Sequence, residues 1–538
     1  MAIDSQDQEQ SYIIAPTPFL LIPPPTYCFF PPPGSIAVSN PNLNRLHLIP
    51  MEEQRTNSLL QFMLSEGLIP TVEDEFKRED VIRKLKKIVI KWIQRVAWQR
   101  GHLGDIIDDT SATIVAYGSY GLGAHGPESD IDAVCVGPSF ATLRGDFFIV
   151  LHNMLQNTPE VSDMHCVKDA KIPMMRFKYN GISIDLPYVR LQESSVPDNV
   201  NILCPSLLNN IDETSWRSLS GLRANTSILQ LVPNVEKFQT VLRCLKFWAR
   251  RRGVYCNLVG FFAGIHIAVL AAYVCQRHPN ASISFLLSNF FETFALWTWP
   301  DPVLLVEEEM LPGTARCLMP IQLPGNPNEY CFSNATRSTF QRIRTELLRG
   351  HTLTRVILGP DFNWRTLFEP FPYSKKYKRF VRILLTAKTR DKLGDWVGWV
   401  KSRFRSLLLK LEEVQGLCDP NPTEYMDPDV ESPNTVFYWG LQAGRSSFKN
   451  PCVVEEHFRK LIVCGCQGAV GTIELSILDS SQLPKYAQQD SGSWGGSKAY
   501  WRVLDYRRSL PIYSYYVPNY VVGYMATNGG GEYPSAGG

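Results

Sequence analysis

Three short, mostly apolar stretches of this chain fit extended backbone: residues 113–116, 131–136 and 182–189. In a strand, alternate side chains share a face. Asp130 and Asp132 should therefore project together, with Ile131, Ala133 and Cys135 on the other side. Val134 and Val136 continue the Asp face, so this strand is predicted to be buried on both sides. Ile182, Ile184 and Leu186 share one face of the third stretch, and Ser183 and Asp185 the other. Helical periodicity covers residues 51–66 and 72–100, with Gly67 and Pro70 between them. Ile82, Leu85, Ile88, Ile90, Trp92, Ile93 and Val96 form the expected apolar face of the second helix. Another helix is expected over 146–156. From 204 to 369 apolar helical segments dominate, at 207–225, 235–252 and 258–277. Beyond 371 a basic helix is expected, then short strands at 436–441, 457–464 and 469–478.

These patterns predict a multidomain chain of α/β, α and α+β parts. Residues 1–42, with proline clusters at 23–25 and 31–33, read as a disordered arm. An α/β unit is expected over 43–203, a mostly helical middle domain over 204–369, an α+β module over 370–515, and a flexible tail over 516–538. The 538 residues fit about three domains. A net charge of only +2 means that overall charge does not announce a nucleic-acid binder, so its distribution matters more. The thirteen cysteines form no Cys-x-x-Cys pair, which argues against a zinc site and against a disulfide framework. No signal peptide is read at MAIDSQDQEQ. Residues 258–275 carry no charge, but they fit a buried core helix better than a membrane span. A monomer with no membrane attachment is expected.

The candidate chemistry lies in YGSYGLGAHGPESDIDAVCVGP, residues 117–138. Two carboxylates fixed side by side at a strand start repel unless a cation sits between them. Hard divalent cations such as Mg²⁺ or Mn²⁺ prefer such oxygen ligands and share them with substrate phosphates. The Gly118-Ser119 turn can offer backbone N–H groups and a hydroxyl to a phosphate. If the strand GISIDLPYV pairs beside the first, Asp185 joins Asp130 and Asp132, which suits a pair of metal ions roughly 3.5–4 Å apart. Asp-x-Asp alone is commonly a solvated strand edge; the ordered set of turn, paired Asp and strand-borne Asp is far more specific. It points to phosphoryl or nucleotidyl transfer from a nucleoside triphosphate.

This set resembles the polymerase-β type nucleotidyltransferases, and more closely the eukaryotic poly(A) polymerases in a short, plant-like form. The resemblance runs over about residues 46–484 and includes GISIDLPYVRL, SLSGLRANTSILQLVPN, FQTVLRCLKFWARRRGVYCNLVGFFAGIHIAVL and FPYSKKYKRFVRILL. It implies a nucleotidyltransferase catalytic domain, a helical middle domain and an RRM-like C-terminal domain. It also implies addition of AMP from ATP to RNA 3′ ends, as in mRNA polyadenylation. The alternatives are a terminal uridylyltransferase, a CCA-adding enzyme, or a catalytically weak RNA-binding relative. Asp130, Asp132 and Asp185 match the family's catalytic, metal-binding carboxylates, and Tyr117, Gly118 and Ser119 its triphosphate turn. Ile131, Lys246, Tyr255, Asn257, Gly264 and Ile265 match nucleotide contacts. Taken alone, Lys246 and Tyr255 read as an ordinary helix-surface lysine and core-edge tyrosine; the resemblance reverses that.

The departures are Gly121 where the family usually has Arg, Glu128 before SDID, Ser220 for Asn, and Ala263, His266 and Ile267 in AGIHIA. Loss of a positive charge and gain of a negative one near the phosphates predict weaker ATP or RNA binding than in a typical member. Residues 375–410 hold twelve Lys or Arg against two Asp, with Tyr377, Phe380, Trp396, Trp399 and Phe404 interleaved. They are either a solvated helix whose aromatics are core, or an RNA-phosphate surface. Lys375, Lys376, Lys378, Arg379 and Arg382 are the candidate RNA contacts. The resemblance implies the nucleus and 3′-end processing partners. The absence of a long basic extension beyond Pro484 leaves the cytoplasm as the alternative.

Overall fold

The computed structural model describes residues 45–306, 317–325, 334–355, 362–442, 451–463 and 471–488. The chain divides into residues 1–50 and residues 51–538. Of the first unit only the start of the helix Arg45–Ser65 is described. The predicted arm at 1–42, the tail at 516–538 and residues 489–515 lie outside the described residues.

The helix Val72–Gln99 starts where Thr71 and Asp74 cap each other reciprocally. Its buried stripe is Val81, Leu85, Val89, Trp92, Ile93 and Val96, with Arg78 at its head. Ile90, expected in that stripe, is instead exposed, because Val89 holds the inward position one residue earlier.

Five strands follow: β1 (Thr113–Tyr117), β2 (Ile131–Gly137), β3 (Val161–Val167), β4 (Met174–Tyr179) and β5 (Ile182–Arg190). Their spatial order is β1-β2-β5-β4-β3. β2 and β5 run parallel and the remaining pairs antiparallel. The expected helix at 146–156 is found as Leu143–Leu151, wound with the wider π repeat, continued by His152–Gln156. Alternation along β2 and β5 divides the core as expected. Ile131, Ala133, Cys135, Ile184 and Leu186 pack with Val81, Leu85 and Phe147 on one side. Val134, Val136 and Val189 pack with Leu219 and Leu222 on the other. The acids therefore share the face that the helix Glu213–Leu231 covers.

The middle of the chain is helical, but two expected helices are broken. The segment 207–225 divides into Pro205–Leu208 and Glu213–Leu231, because Asn210 takes a left-handed conformation (φ 61°) and Asp212 caps a new start. The segment 258–277 becomes a short turn at Asn257–Val259 and the helix Gly264–Arg277. Gly260 separates them at φ 92°, pressed against the Asn334 carbonyl, where a Cβ would come within 2.7 Å of that oxygen. The helix is buried, and among the described residues no helix is long and apolar enough to cross a membrane.

A second sheet holds β6 (Arg379–Ala387), β7 (Cys418–Asp419), β8 (Asn434–Leu441) and β9 (Gly471–Asp479), all antiparallel, in the order β7-β8-β6-β9. The basic helix expected from 375 is therefore a strand over its first part, followed by the helices Arg390–Lys401 and Phe404–Val414. Conversely, the strand expected at 457–464 lies in the helix Cys452–Val463. Val454, Phe458 and Ile462 are buried there at a four-residue spacing, which is helical rather than alternating.

The second sheet is joined to the middle helices by buried charge. Arg252 donates to Glu346 through Nε (2.6 Å) and Nη2 (3.1 Å). Arg342 bridges Glu346 (2.6 Å) and Asp419 (3.1 Å), and its guanidinium lies 3.5 Å from the centre of the Phe371 ring.

Candidate active site

The edge where β1 ends and β2 begins gathers the predicted chemistry. Tyr117 lies opposite Asp132 in the antiparallel β1–β2 pair. Asp132 lies beside Asp185 in the parallel β2–β5 pair. The strand register thus places two of the acids side by side, with Asp130 exposed one residue before β2. Gly118 follows Tyr117 at φ 64° and opens a single helical turn, Gly118–Gly121. A Cβ on Gly118 would fall 1.9 Å from Asp132 Oδ2, so only glycine lets the turn fold onto this carboxylate.

The electrostatics follow from this crowding. Burial pushes the Asp132 carboxyl well above its usual range; Asp130 and Asp185 push the same way, and Lys246 and Arg176 oppose them. Burial also raises Asp185, against the pull of Arg176, whose Nη2 donates to Asp185 Oδ2 at 3.0 Å. With its carboxylate turned to Arg176, Asp185 stops short of a closed cluster. Among the described residues no three of His, Cys, Asp or Glu stand close enough together to hold an ion as the side chains lie. The donor chemistry nevertheless fits a hard divalent cation. It is all carboxylate oxygen, anchored on adjacent strands, and mutual repulsion makes the site short of positive charge.

Three cations clamp the loop between the turn and Asp130. Arg243 donates to Gly123 O (2.5 Å) and His125 O (3.3 Å), Lys246 to Ala124 O (3.1 Å), and Arg78 to Pro127 O (2.8 Å) and Ser129 O (2.5 Å). His125 is buried among them and neutral, its pKa pushed down to about 4 by burial, then by Arg78, Arg243 and Lys246. Sequence reasoning missed Arg78, Arg176 and Arg243. Only Arg78 left a signal, a charge standing three residues before Val81 on an otherwise apolar stripe.

Lys246 is 7% exposed, not a helix-surface lysine. Its pKa is lowered to about 7 by burial and by Arg250, against the pull of Asp130 and Asp132. A triphosphate arriving beside it would raise that pKa again. If the site takes a nucleoside triphosphate, its binding should therefore take up a proton at about pH 8, and the uptake should fade below about pH 6, where the lysine is already charged. Calorimetry in buffers of different ionisation enthalpy measures this; a binding heat independent of buffer would contradict it.

Tyr255, Asn257, Gly264 and Ile265 lie on the segment after Lys246. The Tyr255 ring carries Arg250 at 5.0 Å, and Gly264 packs against the Tyr255 hydroxyl, where a Cβ would lie 3.2 Å away. Asn257 is 8% exposed and accepts from Asn334 Nδ2 through O and Oδ1, both at 3.4 Å. His266 has a structural use: its Nδ1 accepts the Ala263 N–H at 2.9 Å and caps the helix.

The basic run does not form one surface. Lys375, Lys376 and Lys378 are exposed, and Arg379 is half-buried. Arg382 is ion-paired with Asp427 at 2.7 Å and Glu474 at 3.8 Å. Tyr377, Phe380, Trp396 and Phe404 are core, and the Trp399 indole N–H donates to Ile462 O. The four core aromatics are thus not available for base stacking, and the half-buried Trp399 ring already carries the Arg403 guanidinium at 3.3 Å.

Comparison with known proteins gives a consistent result along the chain. The poly(A) polymerase nucleotidyltransferase domain matches residues 49–232, the poly(A) polymerase central domain residues 237–370, and the poly(A) polymerase predicted RNA binding domain residues 372–435. Nuclear poly(A) polymerase 3 of Arabidopsis thaliana is 52% identical over 482 residues, 88% of this chain and 95% of the relative. Nuclear poly(A) polymerase 4 of the same plant is 40% identical over 404 residues, 72% of this chain and 54% of the relative. Poly(A) polymerase of Dictyostelium discoideum is 37% identical over 369 residues, 66% of this chain and 45% of the relative. The chain spans nearly all of the first relative and about half of the other two.

Proposed function

This chain belongs to the poly(A) polymerase family of polymerase-β type nucleotidyltransferases, and we propose that its active site is the sheet edge bearing Asp130, Asp132 and Asp185. The reaction is template-independent addition of AMP from ATP to RNA 3′ ends. The observation that carries the site is the register of Asp132 with Asp185, under a turn whose first glycine touches Asp132.

The three carboxylates would hold two divalent cations, Mg²⁺ or Mn²⁺, which when bound supply the charge that activates the RNA 3′-hydroxyl and steadies departing pyrophosphate. The chain's own residues do the rest. The Gly118–Ser119 turn, following Tyr117, offers N–H groups and a hydroxyl to the triphosphate. Lys246 leaves Ala124 O for the phosphates and brings a positive charge. Ile131, expected among the nucleotide contacts, is fully buried on the face of β2 opposite the acids, so its side chain backs the strand and only its main chain is left to meet a nucleotide. Tyr255 supplies a ring and a hydroxyl, Asn257 an amide for sugar or base, and Gly264 with Ile265 a close backbone approach. In this reading the catalytic segment extends past the expected boundary at 203 through the helix Glu213–Leu231, which covers the acid face of its sheet.

The C-terminal module is read as RRM-like. Its β6–helices–β7–β8–helix–β9 succession and its β7-β8-β6-β9 order support this. Its second face is covered, however: Phe380 and Tyr438 pack with Tyr377, Leu483 and Ala487. RNA is therefore assigned to the exposed lysines. Replacing Lys375, Lys376 and Lys378 together by Ala should weaken binding and flatten the salt dependence by about 2 in log–log slope. Arg382→Ala should instead lower stability and leave the slope unchanged, because Arg382 is occupied by Asp427 and Glu474. Filter binding across a salt series separates the two.

The proposed location is the nucleus, with 3′-end processing factors as partners. A relative named nuclear is matched over 95% of its length, so a short tail gives no support to the cytoplasm. Competition among ATP, UTP, CTP and GTP for one oligo(A) primer tests the substrate. ATP should be incorporated far ahead of the others; preference for UTP would make the chain a terminal uridylyltransferase.

A further inference from the structure

We propose that Asn225 is a positioning residue for the triphosphate turn, with Gly121 as its matched partner. The proposal rests on the reading of Gly118 and Ser119 as phosphate-binding. Asn225 lies on the helix Glu213–Leu231 and is 5% exposed. Its Nδ2 donates to Gly118 O at 2.9 Å. The same carbonyl accepts the Leu122 N–H at 3.1 Å. In a planar trans peptide C=O and N–H point opposite ways. Holding Gly118 O toward the helix therefore directs the Ser119 N–H to the opposite side of the turn.

The turn cannot escape toward β2, because Gly118 already rests on the Asp132 carboxylate. It is held between that carboxylate and the Asn225 amide. Two further glycines allow the close docking. Gly221, four residues before Asn225 and on the same helix face, admits the Tyr117 ring, which a Cβ would approach to 2.9 Å. Gly121 faces Ala116 O and Asn225 Nδ2, which a Cβ would approach to 2.8 and 3.3 Å. A larger residue at 121 would press on the amide that orients Gly118. The lost positive charge at 121 is thus accompanied by a turn whose N–H direction is preset from the neighbouring helix.

The test uses the full chain and the variants Asn225→Ala, Asn225→Asp and Gly121→Ala. It reads KM and kcat for ATP on oligo(A), competitive inhibition by inorganic tripolyphosphate, direct binding of tripolyphosphate and thermal unfolding. Asn225→Ala should raise KM for ATP and the tripolyphosphate constants together by about tenfold, the worth of one buried hydrogen bond. The unfolding temperature should fall modestly, because the lost bond also belongs to the ligand-free fold. Asn225→Asp, equal in size but lacking the donor, should be at least as severe. Gly121→Ala should shift the same constants, and combined with Asn225→Ala should add less than its own effect, because both act on one contact.

Unchanged KM and tripolyphosphate constants in a folded Asn225→Ala protein would overturn the proposal. Were that protein unfolded, unchanged constants in Gly121→Ala would overturn it equally. A wild-type chain that fails to extend with ATP would defeat the functional reading instead, and direct tripolyphosphate binding would still judge Asn225.

Discussion

Exchange of Asp132 for Asn is expected to abolish nucleotide addition while making the metal-free protein more stable. The two effects share one cause. Burial and the neighbouring charges of Asp130 and Asp185 raise the Asp132 carboxyl well above the usual carboxylate range. Between the ordinary value near 3.8 and the raised folded value, the native state holds a proton that the unfolded state has lost. Stability must then fall as pH rises through that window. At neutral pH Asp132 therefore costs stability in the absence of cations, and Asn removes the cost at nearly the same volume. Activity should drop by about a thousandfold or more, the scale of losing a group that meets transition-state charge. Primer extension and thermal unfolding in EDTA measure the pair. A structural aspartate would lose both activity and stability when changed, and that joint loss would contradict the assignment.

Glu346→Ala should give the largest loss of stability, about 3–5 kcal/mol, because it leaves two buried guanidiniums without their shared partner. Glu346 is 2% exposed and receives Arg252 and Arg342. Burial alone would raise its carboxyl, but the two arginines hold it below its usual range. The stability it contributes is present above about pH 4.5, the ordinary value, and is lost as pH falls through the lower folded value. Arg342 also holds Asp419 at the edge of the second sheet, so loss of Glu346 should loosen the joint between the middle helices and that sheet. Urea unfolding checks the size. A cost under about 1 kcal/mol would mean that the joint is solvated, as exposed pairs are.

The acid-bearing strands were legible because their alternation is two-sided. Ile131, Ala133 and Cys135 mark one face, Val134 and Val136 the other, and the aspartates fall on the second by parity alone. β3 was not legible, because VSDMHCV is half-exposed along its length and shows no clean apolar face. β4 did leave a signal that the strand expectations missed: Met175, Phe177 and Tyr179 face the core in alternation with Arg176 and Lys178. Helix breaks escaped because a left-handed Asn210 or Gly260 is a backbone event that apolar periodicity does not record. The basic run misled because lysine and arginine spacing says nothing of burial: Phe380 and Trp396 between them are core. The carbonyls that cations tie down in the loop before Asp130 were hidden for a different reason. Arg78 and Arg243 act on main-chain carbonyls 49 to 120 residues away in sequence, and carbonyls leave no side-chain signature.

The most direct test of the central claim is extension of a 5′-labelled oligo(A) primer by the full chain with ATP and Mg²⁺ or Mn²⁺, beside Asp130→Ala and Asp132→Asn. The account predicts ATP-dependent ladders from the wild type and none from either variant, with both variants folded. Ladders that persist in the folded variants would contradict the placement of the active site at this sheet edge. No extension by the wild type with either metal would contradict the polymerase reading itself.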